Sequence, residues 1–594
     1  MPKLVDTTIR LLGQEPLAGR MPTARLLDLA ELLDTAGYAY LEVSGGGVFD
    51  TAVRRGVESP WERIRALKGR TSTPLAMALR GRFLVGSRPV DADVVRRFVA
   101  SAAENGIEVF RLHDPLNDVE NLREAAEAIA AAGCELDAGL VYSSGRTGET
   151  EALVEQARKL PQLGAARLLL HDPTGSLQPA RTSELVRELG EASGLPIGVY
   201  LQGAGGSALA AALEAARAGA DLIACALYPV ALALHRVSGE SLAQALPAPD
   251  RESGVDVRVL WRCCDIVDEH IGDEPVTPLA PRIAVRAAEY AFPAGLVAAL
   301  DAHLRAHAAG DRIDEVLDEL ARIRLETGSA PLASPIGQVL ASQALLHVLS
   351  ASRWTGIVDE LRDLLEGRYG KPPGPIDPAV ERAARLLADD TGRPAPVELE
   401  ALRETAAGLA ASEEELLLLA LFGSDAEPLL ETIRTRARRE EGRELATVEQ
   451  SRAERIREIV RIVQESGVGE VTIEDDDFRV TVRRTEEGNP AAATAPGGTE
   501  TAPAGPSDGL VRVESPMVGT FYRSPQPGAL PFVEVGDVVA PGQTICLIEA
   551  MKLFNELKAE VEGVVRDVLV ENGQPVEFGQ ALFELEPLAA PPAI

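Results

Sequence analysis

The chain has 594 residues, 46% of them hydrophobic and 25% charged, with 59 Lys and Arg against 91 Asp and Glu for a net charge of −32 at pH 7. That length predicts several domains, at roughly 150 residues each, and the negative field opposes binding to nucleic acid or to an anionic membrane. Five scattered cysteines (Cys134, Cys225, Cys263, Cys264, Cys546) with no CxxC pair argue for reduced thiols. The absence of an apolar signal core or spanning segment completes the expectation of a cytoplasmic protein.

From residue 1 to about 230, β-prone runs alternate with amphipathic helical stretches: Lys3 to Thr8, Ala39 to Val43, Pro74 to Leu79, Glu108 to His113, Glu135 to Tyr142, Arg167 to His171, Pro196 to Leu201 and Asp221 to Leu227. Eight such strand-helix units in one block predict a (β/α)8 TIM barrel over 1–275, with its chemistry at the strand ends. A doubly wound open sheet is the alternative, and no GxGxxG phosphate loop supports it.

Residues 276–440 read as an all-helical post-barrel domain, rich in Ala, Leu, Glu and Arg at helical spacing and interrupted at Gly370-Lys371-Pro372-Pro373-Gly374-Pro375. In the segment 445–488, Ile456, Ile459, Val460 and Val463 fall at i, i+3, i+4, i+7, and Gly467 then separates them from the alternating runs Val471/Ile473 and Val480/Val482. One helix and a hairpin are expected. The linker 489–509 is almost entirely Ala, Pro, Gly, Thr and Ser and buries nothing. It spans about 25 Å as a flexible coil and about 65 Å if extended.

Residues 510–588 contain an internal repeat. Gly536, Gly542, Gln543, Ile545 and Ile548 recur 37 residues later as Gly573, Gly579, Gln580, Leu582 and Leu585, whereas Gly519 and Gly563 are offset by 44. Two similar half-sheets are therefore expected to face each other. The first half carries about seven extra residues, within Tyr522 to Pro531. Lys552 falls between the halves, at the hairpin such a β sandwich would expose.

This last block resembles a biotinyl carrier domain, with Ala550-Met551-Lys552 matching the family's attachment motif. The resemblance implies biotin joined covalently to Lys552, through a biotin protein ligase, and a ureido nitrogen that holds CO2 on a long arm. A lipoyl domain shares the architecture, but Met551 favours biotin.

Residues 1 to about 440 resemble the carboxyltransferase half of pyruvate carboxylase and the α subunit of oxaloacetate decarboxylase, through Asp6-Thr7-Thr8-Ile9-Arg10, Leu79-Arg80-Gly81, Asn117-Asp118 and Arg368-Tyr369-Gly370-Lys371-Pro372. In that family a divalent metal is held by an Asp, a carbamylated Lys and a His-x-His pair, and a Thr shuttles the proton. Carried over position by position, the metal ligands become Leu11, His171, Tyr200 and Gln202, and the shuttle becomes Leu234. No metal and no catalytic residue are expected in such a barrel. A site rebuilt from His113, Asp114, His171 and Asp172 is the alternative. Arg10, Gln14 and Arg80 stand where the family contacts substrate and are candidates for residual ligand binding.

Residues from about 450 to 588 resemble the biotin carboxyl carrier of bacterial acetyl-CoA carboxylase, and the seven-residue insert matches the thumb of those carriers. The resemblance implies an acetyl-CoA carboxylase component for fatty acid biosynthesis. It would carry CO2 on Lys552 between a separate biotin carboxylase and separate acyl-CoA carboxyltransferase subunits, with a pseudo-carboxyltransferase barrel attached. The alternative is an active B-type pyruvate carboxylase component or oxaloacetate decarboxylase α subunit.

Overall fold

The structure is a computed structural model. It describes residues 2–144, 148–246, 254–271, 281–350, 352–387, 399–406, 409–437, 470–475, 478–483, 511–515, 519–524, 532–533, 536–539, 543–550, 553–559, 563–570, 574–576 and 580–587. The chain divides into two compact units, residues 1–462 and 463–594.

In the first unit, eight parallel strands close into a barrel: β1 (Lys3–Asp6), β2 (Leu41–Gly45), β3 (Leu75–Arg80), β4 (Ile107–His113), β5 (Glu135–Val141), β6 (Arg167–Asp172), β7 (Ile197–Leu201) and β8 (Leu222–Cys225). These are the eight β-prone runs of the sequence. β1 meets β8 with Lys3 opposite Leu222 and Asp6 opposite Cys225. The Asp-Thr-Thr run locks this seam: Thr7 donates from both its backbone N–H and its hydroxyl to the Cys225 carbonyl, and the Thr8 hydroxyl accepts from Leu227 N–H at 2.9 Å. Asp6 in turn accepts from the Thr8 amide and hydroxyl, at 2.9 and 2.7 Å. Burial pushes its carboxyl up to about 7.

A helical region follows, with its own core of residues such as Phe292, Leu317, Leu340 and Leu361. It closes over the strand ends. Ser334 accepts from Arg80, Arg324 reaches the Ser143 hydroxyl, and the Tyr369 carbonyl accepts from Asn121 at 3.0 Å. The chain then returns to the barrel: Leu399, Leu416 to Leu419, Leu429 and Leu430 join the barrel core, and Glu413 and Glu400 pair with Arg97. Among the described residues no helix is long and apolar enough to cross a membrane, and all five cysteines are free thiols.

In the second unit, β9 (Glu470–Asp475) and β10 (Phe478–Arg483) pair as an antiparallel hairpin with Val471 opposite Val482 and Ile473 opposite Val480. The helix expected around Ile456 to Val463 and the linker 489–509 lie outside the described residues. The C-terminal strands are β11 (Val511–Glu514), β12 (Gly519–Tyr522), β13 (Val538–Val539), β14 (Thr544–Ala550), β15 (Leu553–Lys558), β16 (Gly563–Val568), β17 (Pro575–Val576) and β18 (Ala581–Pro587). They form two four-stranded sheets, ordered β11-β18-β16-β13 and β15-β14-β12-β17. The repeat explains both orders: β14 and β18 are equivalent, as are β12 and β16, while β13 and β17 each sit in the sheet of the other half. Ile545, Ile548, Leu582 and Leu585, related by the repeat, are all buried in one core with Phe521 and Phe583. Thr520 opposite Glu549 and Tyr522 opposite Leu547 set β12 beside β14.

Candidate active site at the mouth of the barrel

The strand ends of the barrel carry an unusual density of buried charge. Arg10 follows β1, Glu42 lies in β2, Arg80 ends β3, and Arg111 and His113 lie two apart in β4, where the period of two aims both the same way. His171 in β6 sits beside Tyr200 in β7, and Arg236 follows the helix after β8. Arg10, Glu42, Arg111 and Tyr200 are each under a tenth exposed.

Tyr200 is the centre of the cluster. The guanidinium carbons of Arg111, Arg236 and Arg10 lie 4.3, 5.6 and 5.8 Å from its ring centre, and Arg10 also donates to its hydroxyl. Such stacking is favourable because the ring face is electron-rich. Glu42 pairs with Arg10 and, at 3.0 Å, with Arg111. Among the described residues Arg236 has no carboxylate paired with it in this way. Its Nε and Nη1 are sealed from solvent without a hydrogen-bond partner, and burial, reinforced by Arg10 and Arg111, lowers its guanidinium to about 10.

The three candidate ligand-binding residues also meet at the strand ends, and Arg10 belongs both to this group and to the Tyr200 cluster. Arg10 donates to Gln14 at 3.0 Å, and Arg80 donates to Ser334 at 2.7 Å and to the Val85 carbonyl. Gly46 and Gly47, after β2, make the approach feasible: a Cβ on Gly46 would stand 2.2 Å from Arg80, and one on Gly47 would stand 2.6 Å from Gln14. Burial lowers Arg80 to about 10.

His113 and His171 lie in the same cluster, their ring centres 6.0 Å apart, with His171 5.0 Å from Tyr200. Burial, and then the nearby Arg111, holds both imidazoles well below the usual histidine range, so both are neutral. Among the described residues neither ring nitrogen of His171 has a hydrogen-bond partner, and Nδ1 of His113 has none.

The carboxylates next to these histidines are not available to complete a metal triad. Asp114 accepts from Leu116 N–H and Asp118 N–H, each at 2.9 Å, and Asp172 accepts from Thr174, Gly175 and Leu177. Each follows its histidine on a strand end and so points the other way, into the loop it organises. At the positions that the resemblance assigns to a divalent metal, Leu11 is buried and apolar, the Tyr200 hydroxyl is taken by Arg10, and three guanidinium groups surround the ring; Leu234, at the shuttle position, is buried and apolar as well. Among the described residues no group of three or more His, Cys, Asp and Glu is disposed to hold a metal ion. A divalent cation does not fit this donor set: Glu42 is already paired, and the surrounding charge repels a cation.

Of the attachment motif, Ala550 ends β14 and pairs with Leu553 at the start of β15. Met551 and Lys552 lie outside the described residues, as do residues 525–531 of the thumb. The sequence reading missed Arg111 and Arg236. An arginine inside the otherwise apolar strand run VFRLH was the available signal for Arg111, because a charge on a buried strand demands a partner; Arg236 carried none.

A biotinyl domain joined to a barrel whose cationic end is closed by a helical extension defines the carboxyltransferase class of biotin-dependent enzymes. Residues 1–267 match the HMGL-like family, residues 288–480 the conserved carboxylase domain, and residues 511–585 the biotin-requiring enzyme domain. The chain is 36% identical to the B-type pyruvate carboxylase component of Methanocaldococcus jannaschii, over 71% of this chain and 76% of that one. It is 30% identical to the 2-oxoglutarate carboxylase large subunit of Hydrogenobacter thermophilus, over 94% and 90%. The carboxyl transferase domain of Rhizobium etli pyruvate carboxylase superposes on 73% of this chain and 77% of its own length, with a TM-score of 0.67 and 25% identity. The chain belongs to the family of B-type pyruvate carboxylase components, and its cofactor is covalently attached biotin.

These relatives overturn the expectation of an acetyl-CoA carboxylase component serving fatty acid biosynthesis. The C-terminal part is indeed 37% identical to the biotin carboxyl carrier protein of acetyl-CoA carboxylase from Nostoc, over 96% of that protein, but this covers only 22% of the present chain. The relatives matched along most of the chain are named as pyruvate and 2-oxoglutarate carboxylases and, for one of Propionibacterium freudenreichii that is 30% identical over 70% of this chain, as a methylmalonyl-CoA carboxyltransferase subunit; none of these is an acetyl-CoA carboxylase. A carrier domain contacts its biotin and its docking partners, not the acceptor substrate, so its detailed resemblance carries little information about that substrate.

Proposed function

We propose that this chain is the biotin-bearing carboxyltransferase subunit of a two-component 2-oxo acid carboxylase. Lys552 carries the biotin, a separate biotin carboxylase subunit loads it at the expense of ATP, and the barrel mouth holds the acceptor. The observation that carries this reading is the meeting of Arg10, Gln14 and Arg80 at the strand ends, on the same chain as a biotinyl domain.

In this reading Arg10 and Arg80 bind the carboxylate of the 2-oxo acid, where charge-assisted hydrogen bonds give both affinity and orientation. Transfer breaks the bond between the biotin nitrogen and the carboxyl carbon. It forms a C–C bond at the carbon next to the keto group, and the proton that this carbon loses ends on the biotin nitrogen. The shuttle position is Leu234, so another group must move that proton. Neutral His171, with both ring nitrogens unpartnered, is our assignment. The residues present do not fit a metal: Leu11 offers no donor, and the Tyr200 hydroxyl is held by Arg10.

The test is reconstitution of the biotinylated chain with biotin carboxylase, ATP and labelled bicarbonate, offering pyruvate, 2-oxoglutarate or acetyl-CoA. Label is expected in a 2-oxo acid product. Label in malonyl-CoA, with none in either 2-oxo acid product, would overturn the proposal.

A further inference from the structure

The relatives' metal position has reversed its charge in this chain, and the ligand suited to it reverses accordingly. Arg10, Arg111 and Arg236 converge on the Tyr200 ring, and the carboxylate set against them is Glu42, already shared by Arg10 and Arg111. Arg236 is thus left with sealed, unpartnered N–H groups. An uncompensated buried cation is costly, and unsatisfied buried donors in a native protein call for an explanation. A bound anion supplies both the charge and the acceptors.

We propose that Arg236, with Arg111 beside it over Tyr200, forms a second anion subsite, so that the barrel accepts a dicarboxylic 2-oxo acid rather than a monocarboxylic one. One carboxylate occupies the side of the mouth built by Arg10, Gln14 and Arg80, and the other is held by Arg236. Arg10 is common to both groups, bonded to Gln14 and stacked on Tyr200, so the two carboxylates are distinguished by Arg80 and Arg236. Arg111 and Arg10 act on both His113 and His171, Arg80 on His113 and Arg236 on His171, and neither imidazole adds a charge to the site. Arg236 is fixed by its backbone, which bridges Gln202 after β7 and donates to the Ala231 carbonyl at 2.8 Å, so it does not need to be recruited by the ligand. This inference rests on the proposed function, since it names the substrate class of that same site.

Calorimetric titration of the full chain at low ionic strength, with EDTA present, decides it, using pyruvate, 2-oxoglutarate and glutarate as the probes. 2-Oxoglutarate is expected to bind about tenfold or more tightly than pyruvate, the scale of one added charge-assisted contact. Arg236→Met is expected to collapse that ratio towards one, and Arg236→Lys to restore part of it. A melting curve for each variant separates lost folding from lost binding. Equal affinity for pyruvate and 2-oxoglutarate in the wild type, or the same ratio in wild type and Arg236→Met, would overturn the dicarboxylate subsite and leave the 2-oxo acid reading standing. Binding of glutarate as tight as 2-oxoglutarate would overturn the keto-acid selectivity, and binding of none of the three would overturn both. Binding abolished by EDTA and restored by a divalent cation would also overturn the anion subsite.

Discussion

At the residue scale, the mouth of the barrel is a set of charges held by one another, and removing one exposes the rest. Arg111→Met leaves Glu42 half-paired in a site under a tenth exposed and is expected to destabilise the barrel by about 3 kcal/mol; a drop in the thermal midpoint of the first unit measures it. His171→Asn is expected to lower the turnover of 2-oxo acid carboxylation by roughly 10² to 10⁴, as the loss of a general acid–base group does, with little change in substrate Kd. A matched loss of Kd and turnover would instead make His171 a binding residue. The same substitution has a pH signature. Folded His171 stays neutral below the ordinary histidine value of about 6.5, whereas the unfolded chain takes up the proton there. Its contribution to stability is therefore present above pH 6.5 and is lost as pH falls below it. His171→Asn is expected to flatten the acid-side decline in stability by up to about 1.4 kcal/mol per pH unit. Much of this site escaped the sequence because its logic is pairwise. Arg10 and Arg80 were visible as positions in a motif, but that Arg236 lacks a paired carboxylate depends on contacts between chain segments more than 100 residues apart.

At the scale of elements, the strands were legible because each is a short buried run ending in a turn, and the period of the barrel repeats them eight times. The two C-terminal sheets were legible for a similar reason, since a repeat of 37 residues specifies one half from the other. The return of residues 399–430 to the barrel was not legible: Leu416 to Leu419 form an apolar run that fits any helical core, and only the fold shows that it joins the barrel core. The seam between β1 and β8 yields a prediction of its own. Asp6 has a carboxyl raised to about 7, so the stability it contributes is fully present below about 3.8 and is lost as pH rises through about 7. In Asp6→Asn this loss disappears. The stability of the variant relative to wild type is expected to improve between pH 4 and 7, by at most about 1.4 kcal/mol per unit, in denaturant titrations at the two ends of that range. A constant difference across that range would show that the Asp6 carboxyl is ionised in the fold like an ordinary one.

At the scale of the whole molecule, carboxyl transfer needs one biotin to serve two reactions, and the linker sets how often it reaches each. The 21 residues 489–509 contain almost no side chain that could pack. The composition of that segment predicts a coil with a root-mean-square span of about 25 Å, and a tether of that kind raises the local concentration of the domain it carries to the order of millimolar. In an assay at micromolar protein, delivery within one chain is then expected to exceed delivery between chains by roughly 10² to 10³. Deleting 489–509 leaves the matched biotin-requiring enzyme domain, residues 511–585, whole and is expected to leave biotinylation of Lys552 intact, while reducing 2-oxo acid carboxylation by about tenfold or more. Replacing the same residues with a Gly-Ser sequence of equal length is expected to retain activity within about threefold. Biotinylation read by intact mass and carboxylation read by label incorporation separate the two effects. Full activity in the deletion would show that the biotin reaches both sites without the linker, and loss of activity in the Gly-Ser chain would show that the linker's own sequence makes a contact on which transfer depends.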